Sequence, residues 1–283
     1  MTTRTLLHAS VLGLLLVTAP GVDKARGAAV TDVGGSFLGL DGAPLPFQNE
    51  DDVLEYLRTA LVIDEKPIGK GVNGSRKVLL DKDGVRAYAA FREADRTKHN
   101  KFLEGRLYPV FRDSYLFEPA AYELAKLLGM HNVPPAVLRR VGRRNGSLQL
   151  WVENIRDEKE GFRPPSVVAW IRQIRDMALF DNLIFNIDRN TGNRLITQDY
   201  TLMMIDHTRG FQRRAGLLNP ERVTQVNRQT WEKLRSLTDE DLSDTVRPFL
   251  SPAEISMLLL RRQRLLDHFE ELIAARGEDV VVI

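Results

Sequence analysis

The chain has 283 residues, enough for one large domain or two small lobes around a substantial core. Its 40 Lys and Arg residues against 38 Asp and Glu leave a formal net charge of +2, and the basic residues are scattered, which argues against a nucleic-acid partner. The absence of cysteine excludes disulfides, thiolate metal sites, cysteine nucleophiles and a lipidated cysteine anchor, and five dispersed histidines argue against a zinc site.

At the N-terminus, Arg4 precedes an apolar run from Val11 to Ala19, and small residues follow at Gly27, Ala28 and Ala29. This is the layout of a secretory signal peptide over residues 1–29. The run is too short to span a bilayer, so an exported mature chain without a transmembrane helix is expected. Residues 30–50, rich in Gly, Asp and Pro, read as a linker or an arm on the domain, with no visible core.

Asn49-Glu50-Asp51-Asp52 opens a helix whose apolar positions are Val53, Leu54, Leu57, Leu61 and Val62, and acidic residues suit a helix N-terminus. From Lys66 the period changes. A glycine-bearing turn precedes a strand from Lys77 to Leu80, an Asp81-Lys82-Asp83-Gly84 turn and a strand from Val85 to Phe91. A helix from Glu118 to Leu128 is stopped at Gly129, and strands from Ala136 to Val141 and Ser147 to Val152 are joined by Gly142-Arg143-Arg144-Asn145-Gly146. Residues 51–154 therefore read as an α+β lobe.

Residues 155–283 are mainly helical. Val167, Trp170, Ile171, Ile174 and Met177 to Leu179 give the segment from Ser166 to Asn182 an apolar face. One strand pair follows, Arg194 to Thr197 and Thr201 to Ile205, and it sets Asp206 at the end of a buried strand. Late helices start near Thr230, at Thr238, and at Ser251-Pro252-Ala253-Glu254, a capping box with Pro at the first helical position.

The strongest chemical signal is the run from Phe180 to Asn193, FDNLIFNIDRNTGN, followed by Met203-Met204-Ile205-Asp206-His207-Thr208. A carboxylate, Asp188, sits in a polar loop after an apolar helix. An amide, Asn193, lies five residues on, and a second carboxylate, Asp206, ends the next strand pair. Any one of these residues alone is read more simply as turn chemistry, since Asp, Asn and Gly favour turns. Together they match the needs of phosphoryl transfer from ATP: hard Mg²⁺ or Mn²⁺ ions take oxygen ligands while another carboxylate positions the acceptor hydroxyl. Asp188 is the expected catalytic residue, and Asn193 and Asp206 the expected metal ligands.

These segments, from Asp181 to Arg189, Gly192-Asn193, and Ile205 to Phe211, resemble the atypical kinases of the FAM20 secretory-pathway type. They resemble more distantly the phosphatidylinositol 3- and 4-kinases and the HipA-like kinases. The resemblance implies a two-lobed, protein-kinase-like α+β fold with nucleotide between a small sheet lobe and a helical lobe. It implies ATP with Mg²⁺ or Mn²⁺ as cofactors and a hydroxyl-bearing protein, sugar or lipid as acceptor.

Within that order of parts, Gly69, Gly71, Gly74 and Ser75 would let backbone amides approach phosphates. Arg92 stands where the resembling kinases carry a phosphate-binding Lys, with Glu118 as its helix partner and Lys77 as the reserve cation. Val152 and Glu153 would form the adenine-binding hinge. The sequence departs from the pattern at His207 and Thr208, which many kinases fill with an apolar residue and Gly, and at Asn190, where relatives often have His. AMP transfer and a non-catalytic pseudokinase remain alternative readings. An exported enzyme of this kind also needs nucleotide at its destination.

Overall fold

The computed structural model describes residues 1, 37–69, 74–103, 105–156 and 162–283. The leader after Met1, residues 30–36 of the linker, and Gly71 lie outside the described residues. From residue 37 the arm does contribute core, contrary to its polar composition: Phe37 and Leu45 are buried, and the Leu45 N–H donates to the Phe37 carbonyl at 2.9 Å.

Helix α1 (Glu50–Thr59) begins where its acidic cluster places it, with the Asn49 side chain accepting from the Asp52 N–H at 3.0 Å. It ends three residues earlier than its apolar spacing predicts. Leu61 and Val62 instead open strand β1 (Leu61–Pro67), because Val62-Ile63 is β-branched and strand β2 (Arg76–Lys82) offers a ladder partner. Strand β3 (Val85–Arg92) returns from β2 through Asp83 and Gly84, both at positive φ (53° and 83°), the backbone a tight hairpin needs.

Strands β4 (Asp95–Leu103) and β5 (Arg106–Ser114) form a separate hairpin that the sequence reading omits altogether. The reason lies in β4, DRTKHNKFL, which is exposed almost throughout and shows no apolar alternation. Helix α2 (Phe117–Leu127) then packs on the inner face of the main sheet, which is completed by β6 (Ala136–Val141) and β7 (Arg144–Leu150). The sheet is antiparallel throughout, in the order β1-β2-β3-β7-β6. Phe117, Ala121 and Leu124 share one core with Val78, Leu80, Phe91 and Leu148. Each large apolar side chain so buried contributes about 1.5–3 kcal/mol.

The second lobe is built on helix α3 (Val167–Ile184), capped by Ser166. Its apolar face is buried only in its C-terminal half, from Met177 to Ile184; Val167 and Val168 are more than 60% exposed. A short hairpin of β8 (Arg194–Ile196) and β9 (Leu202–Met204) follows, then α4 (Arg228–Ser236), α5 (Asp239–Val246), α6 (Pro252–Arg276) and α7 (Glu278–Val281). The predicted capping box is formed: Ser251 accepts from the Glu254 N–H, and Glu254 accepts from the Ser251 N–H at 2.8 Å. Leu258, Leu265 and Phe269 seat α6 in the core. Among the described residues no helix is long and apolar enough to cross a membrane.

Candidate active site

Helix α3 ends at Phe185, whose left-handed backbone (φ 52°) turns the chain into the loop 186–193. Asn186 fixes the entrance to that loop: its amide donates to Asp181 at 3.0 Å, and its Oδ1 accepts from the Asp188 N–H at 3.2 Å. Asn193 fixes the exit by donating from Nδ2 to the Asp188 carbonyl at 2.8 Å. Arg189 clamps the whole turn. Its guanidinium pairs with Asp181 at 3.0 Å and donates to the Asn193 and Ile205 carbonyls.

The β8–β9 register then brings the second carboxylate alongside. Arg194 faces Met204, and the Ile205 N–H donates to the Asn193 carbonyl at 3.1 Å, so Asn193 and Asp206 emerge at the same end of the hairpin. Asp206 has a positive φ of 55°, a strained conformation that non-glycine residues hold only under external constraint. Thr208 supplies part of it, donating its hydroxyl to Asp206 Oδ1 at 3.0 Å. Asp206 Oδ2 and Asn193 Oδ1 have no hydrogen-bond partner among the described residues. One carboxylate and one amide oxygen, hard donors at a common edge, fit Mg²⁺ or Mn²⁺ shared with phosphate oxygens. No group of three His, Cys, Asp or Glu residues able to hold a metal alone occurs among the described residues.

Arg92 ends β3 against this edge, with Nε 3.4 Å from Glu118 Oε1 and 3.8 Å from Asp206 Oδ1. Glu118 is fully buried at the start of α2 and is held from several sides. Gln149 donates to its Oε2 at 3.2 Å and accepts from Arg92 Nη1 at 3.4 Å, and the His207 N–H donates to Oε1 at 2.9 Å. Burial alone raises a carboxyl pKa, but the Arg92 charge and the His207 hydrogen bonds outweigh it and hold Glu118 at about 2. Burial pushes the His207 imidazole below its usual range, and its Nδ1 lies 3.4 Å from Glu118 Oε2. His207 thus buttresses the Arg92–Glu118 pair.

Lys77, the reserve cation, is engaged elsewhere: its Nζ pairs with Glu153 at 3.2 Å and lies over the Tyr88 and Trp151 rings at 3.9 and 4.3 Å. Of the two residues expected to form a hinge, Val152 has neither backbone group paired among the described residues, whereas the Glu153 carboxylate is taken by Lys77. Gly69 and Gly74 both have positive φ, and the Ile68 N–H donates to the Ser75 carbonyl at 2.9 Å, closing the base of the β1–β2 loop.

Asp188 faces a cation of its own. Arg209 Nη1 lies 2.9 Å from Asp188 Oδ2 and its Nε 3.2 Å from Asp113 on β5. Sequence reasoning missed Gln149, His207, Arg189 and Arg209 as members of the site. Arg189, His207 and Arg209 carried a signal, through their places beside Asp188 and in the run from Asp206 to Phe211.

No protein-family model matches the chain, and no curated protein matches it in sequence. Solved structures do. A hydra Fam20 structure with sugar is 16% identical, with a TM-score of 0.64 over 89% of this chain and 97% of the other. The Golgi casein kinase with Mn/ADP bound is 15% identical, with a TM-score of 0.59 over 82% of this chain and 78% of the other. The Helicobacter pylori proinflammatory kinase CtkA is 13% identical, with a TM-score of 0.53 over 80% of this chain and 98% of the other. The fold is therefore the two-lobed protein-kinase-like α+β fold. Within that class, the chain is similar in fold to the Fam20 and Golgi casein kinase structures.

Proposed function

We propose that this protein is an exported, ATP-dependent phosphotransferase that moves the γ-phosphoryl group to a hydroxyl of a protein, sugar or lipid. The observation that carries the reading is the convergence, at one edge, of buried Glu118, its partner Arg92, and Asp206 at 3.8 Å from Arg92. Such an assembly is costly to bury unless it binds something, and the triphosphate with its metal is the ligand that matches cation, carboxylate and amide together.

In the mechanism, Gly69, Gly71, Gly74 and Ser75 cover the phosphates while Val152 and Glu153 border the base. Arg92 neutralises phosphate charge from the roof of the cleft. Asn193 and Asp206 hold Mg²⁺ or Mn²⁺, which when bound neutralises the charge developing on the phosphate oxygens. Asp188, released from Arg209, orients the acceptor O–H and takes its proton as the new O–P bond forms. The bond between the γ-phosphorus and the β,γ-bridging oxygen breaks, leaving ADP. The Asn193–Asp188 hydrogen bond couples the metal end of the loop to the base end.

The test is incubation with γ-labelled ATP, Mn²⁺ and candidate acceptors, followed by mass identification of the added group. Added phosphate supports the reading. Added AMP would replace it with nucleotidyl transfer on the same fold, and tight Mn²⁺-ATP binding without any modified acceptor would mark a pseudokinase.

A further inference from the structure

A cavity of about 690 Å³ opens beside the catalytic loop on a side that none of Arg92, Glu118 or Asp206 lines. Its walls are the C-terminal half of α3, the loop from Asn186 to Asn190, the segment from Leu218 to Thr224, and Arg106 and Tyr108 near the tip of the β4–β5 hairpin. Asp188 is part of the wall. That volume lies within the roughly 300–1,000 Å³ of sites for small ligands.

The lining is unusual in charge for a chain so near balance. Five arginines line it against three acidic residues. Two of those acids are already neutralised, Asp181 by Arg189 and Asp188 by Arg209. Arg175 and Arg222 have no acidic partner among the described residues, and the Arg175 Nε is buried without a hydrogen-bond partner. A buried guanidinium nitrogen with nothing to donate to costs about 1–3 kcal/mol or more, which an anionic ligand would recover. The amide of Asn219, on the segment from Leu218 to Thr224, suits a hydroxyl group.

We propose that this cavity is the acceptor site and that it takes a small polyhydroxylated anion, a sugar-sized molecule bearing a carboxylate or phosphate. Arg175 and Arg222 bind the anionic group and Asp188 receives the hydroxyl. The assignment rests on the phosphotransferase reading for its chemistry and on the cavity alone for its binding, so the two are tested separately.

The test is calorimetric titration of the full chain, without nucleotide, with glucose, glucuronate, glucose 6-phosphate and an acidic serine peptide. The expected result is binding of at least one charged sugar about tenfold or more tighter than glucose, with the carboxylate and phosphate arms distinguishing the anion. Arg175→Ala and Arg222→Ala should each remove most of that preference, Arg175→Lys should retain part of it, and the thermal shift with Mn²⁺-ATP should stay as in the parent chain. Arg222 is exposed, so its variant decides the matter should Arg175→Ala unfold by circular dichroism. Equal affinity for glucose, an anion preference unmoved in the arginine variants, or binding of the peptide alone would overturn the assignment. Arginine-dependent sugar binding in a chain that ignores nucleotide would remove the phosphotransferase reading and leave the anion site standing.

Discussion

At the scale of single residues, the two carboxylates of the site differ in what they touch, and that difference separates their roles. Asp206 has an unpartnered oxygen beside Asn193 and lies 3.8 Å from Arg92, whereas Asp188 is hydrogen-bonded into the loop and paired with Arg209. Asp206→Ala should therefore abolish the thermal shift produced by Mn²⁺-ATP. Asp188→Ala should retain most of that shift and lose about 10²–10⁴ in turnover. Equal effects of the two variants on nucleotide binding would merge the roles. Glu118 adds a pH dependence. Its folded pKa of about 2 lies below the ordinary glutamate value of 4.5, so its stabilisation is complete above pH 4.5 and is lost as pH falls toward 2. The contribution is on the order of 3 kcal/mol. Denaturant titrations at pH 6 and pH 3 should show a steeper loss of stability in the parent chain than in Glu118→Gln. Parallel curves would count against Glu118 as the titrating group.

At the scale of elements, the strand that carries Arg92 depends on a glycine three positions before Gln149. A Cβ added at Gly146 on β7 would lie 2.3 Å from the Arg92 carbonyl and 2.5 Å from the Phe91 ring. The obstruction is backbone and a fully buried ring, neither of which can swing aside. Gly146→Ala should destabilise the lobe by about 1–3 kcal/mol or more through overpacking, and should weaken nucleotide binding because β3 and Arg92 are displaced. Thermal melts with and without Mn²⁺-ATP measure both effects; an unchanged melting temperature would show that the β3–β7 pair has more room than its geometry allows. Local pattern reads Gly146 only as part of a hairpin turn between two short strands. Its packing role comes from the β3–β7 pairing, which joins positions over fifty residues apart and leaves no local pattern.

At the scale of the whole molecule, one buried side chain ties the late helices to the site. Arg261 on α6 is fully buried, donates from Nε to the Leu183 carbonyl at 2.7 Å, and donates from Nη1 to the carbonyls of Gln212 and Arg214. It therefore joins the end of α3 to the chain just beyond Asp206. With no carboxylate paired to it among the described residues, burial pulls its pKa down to about 9. Arg261→Ala would leave the Leu183 and Arg214 carbonyls without a donor, the Gln212 carbonyl with only the Arg214 N–H, and a cavity beneath them, so a loss of about 3–5 kcal/mol is expected, measured by chemical denaturation. A loss below about 1 kcal/mol would show that the carbonyls are satisfied without it.

The sequence by itself determined where the loop from Asp188 to Asn193 falls and that Asp206 follows the next hairpin, because these residues lie close in the chain and their spacing is set by one helix end and one short hairpin. It also determined α2, β6 and the cap of α6, whose signals are local: apolar period, β-branched runs and the Ser251–Glu254 pair. Only the tertiary structure decided the rest. The end of α1 was settled by ladder pairing with β2, and the β4–β5 hairpin by strand pairing in a segment too polar to announce itself. Gln149, His207 and Arg209 joined the site through contacts spanning 21 to 96 residues. Such contacts follow from where the lobes bring buried charges together, since a buried carboxylate such as Glu118 must find its partners in space wherever the chain has left them.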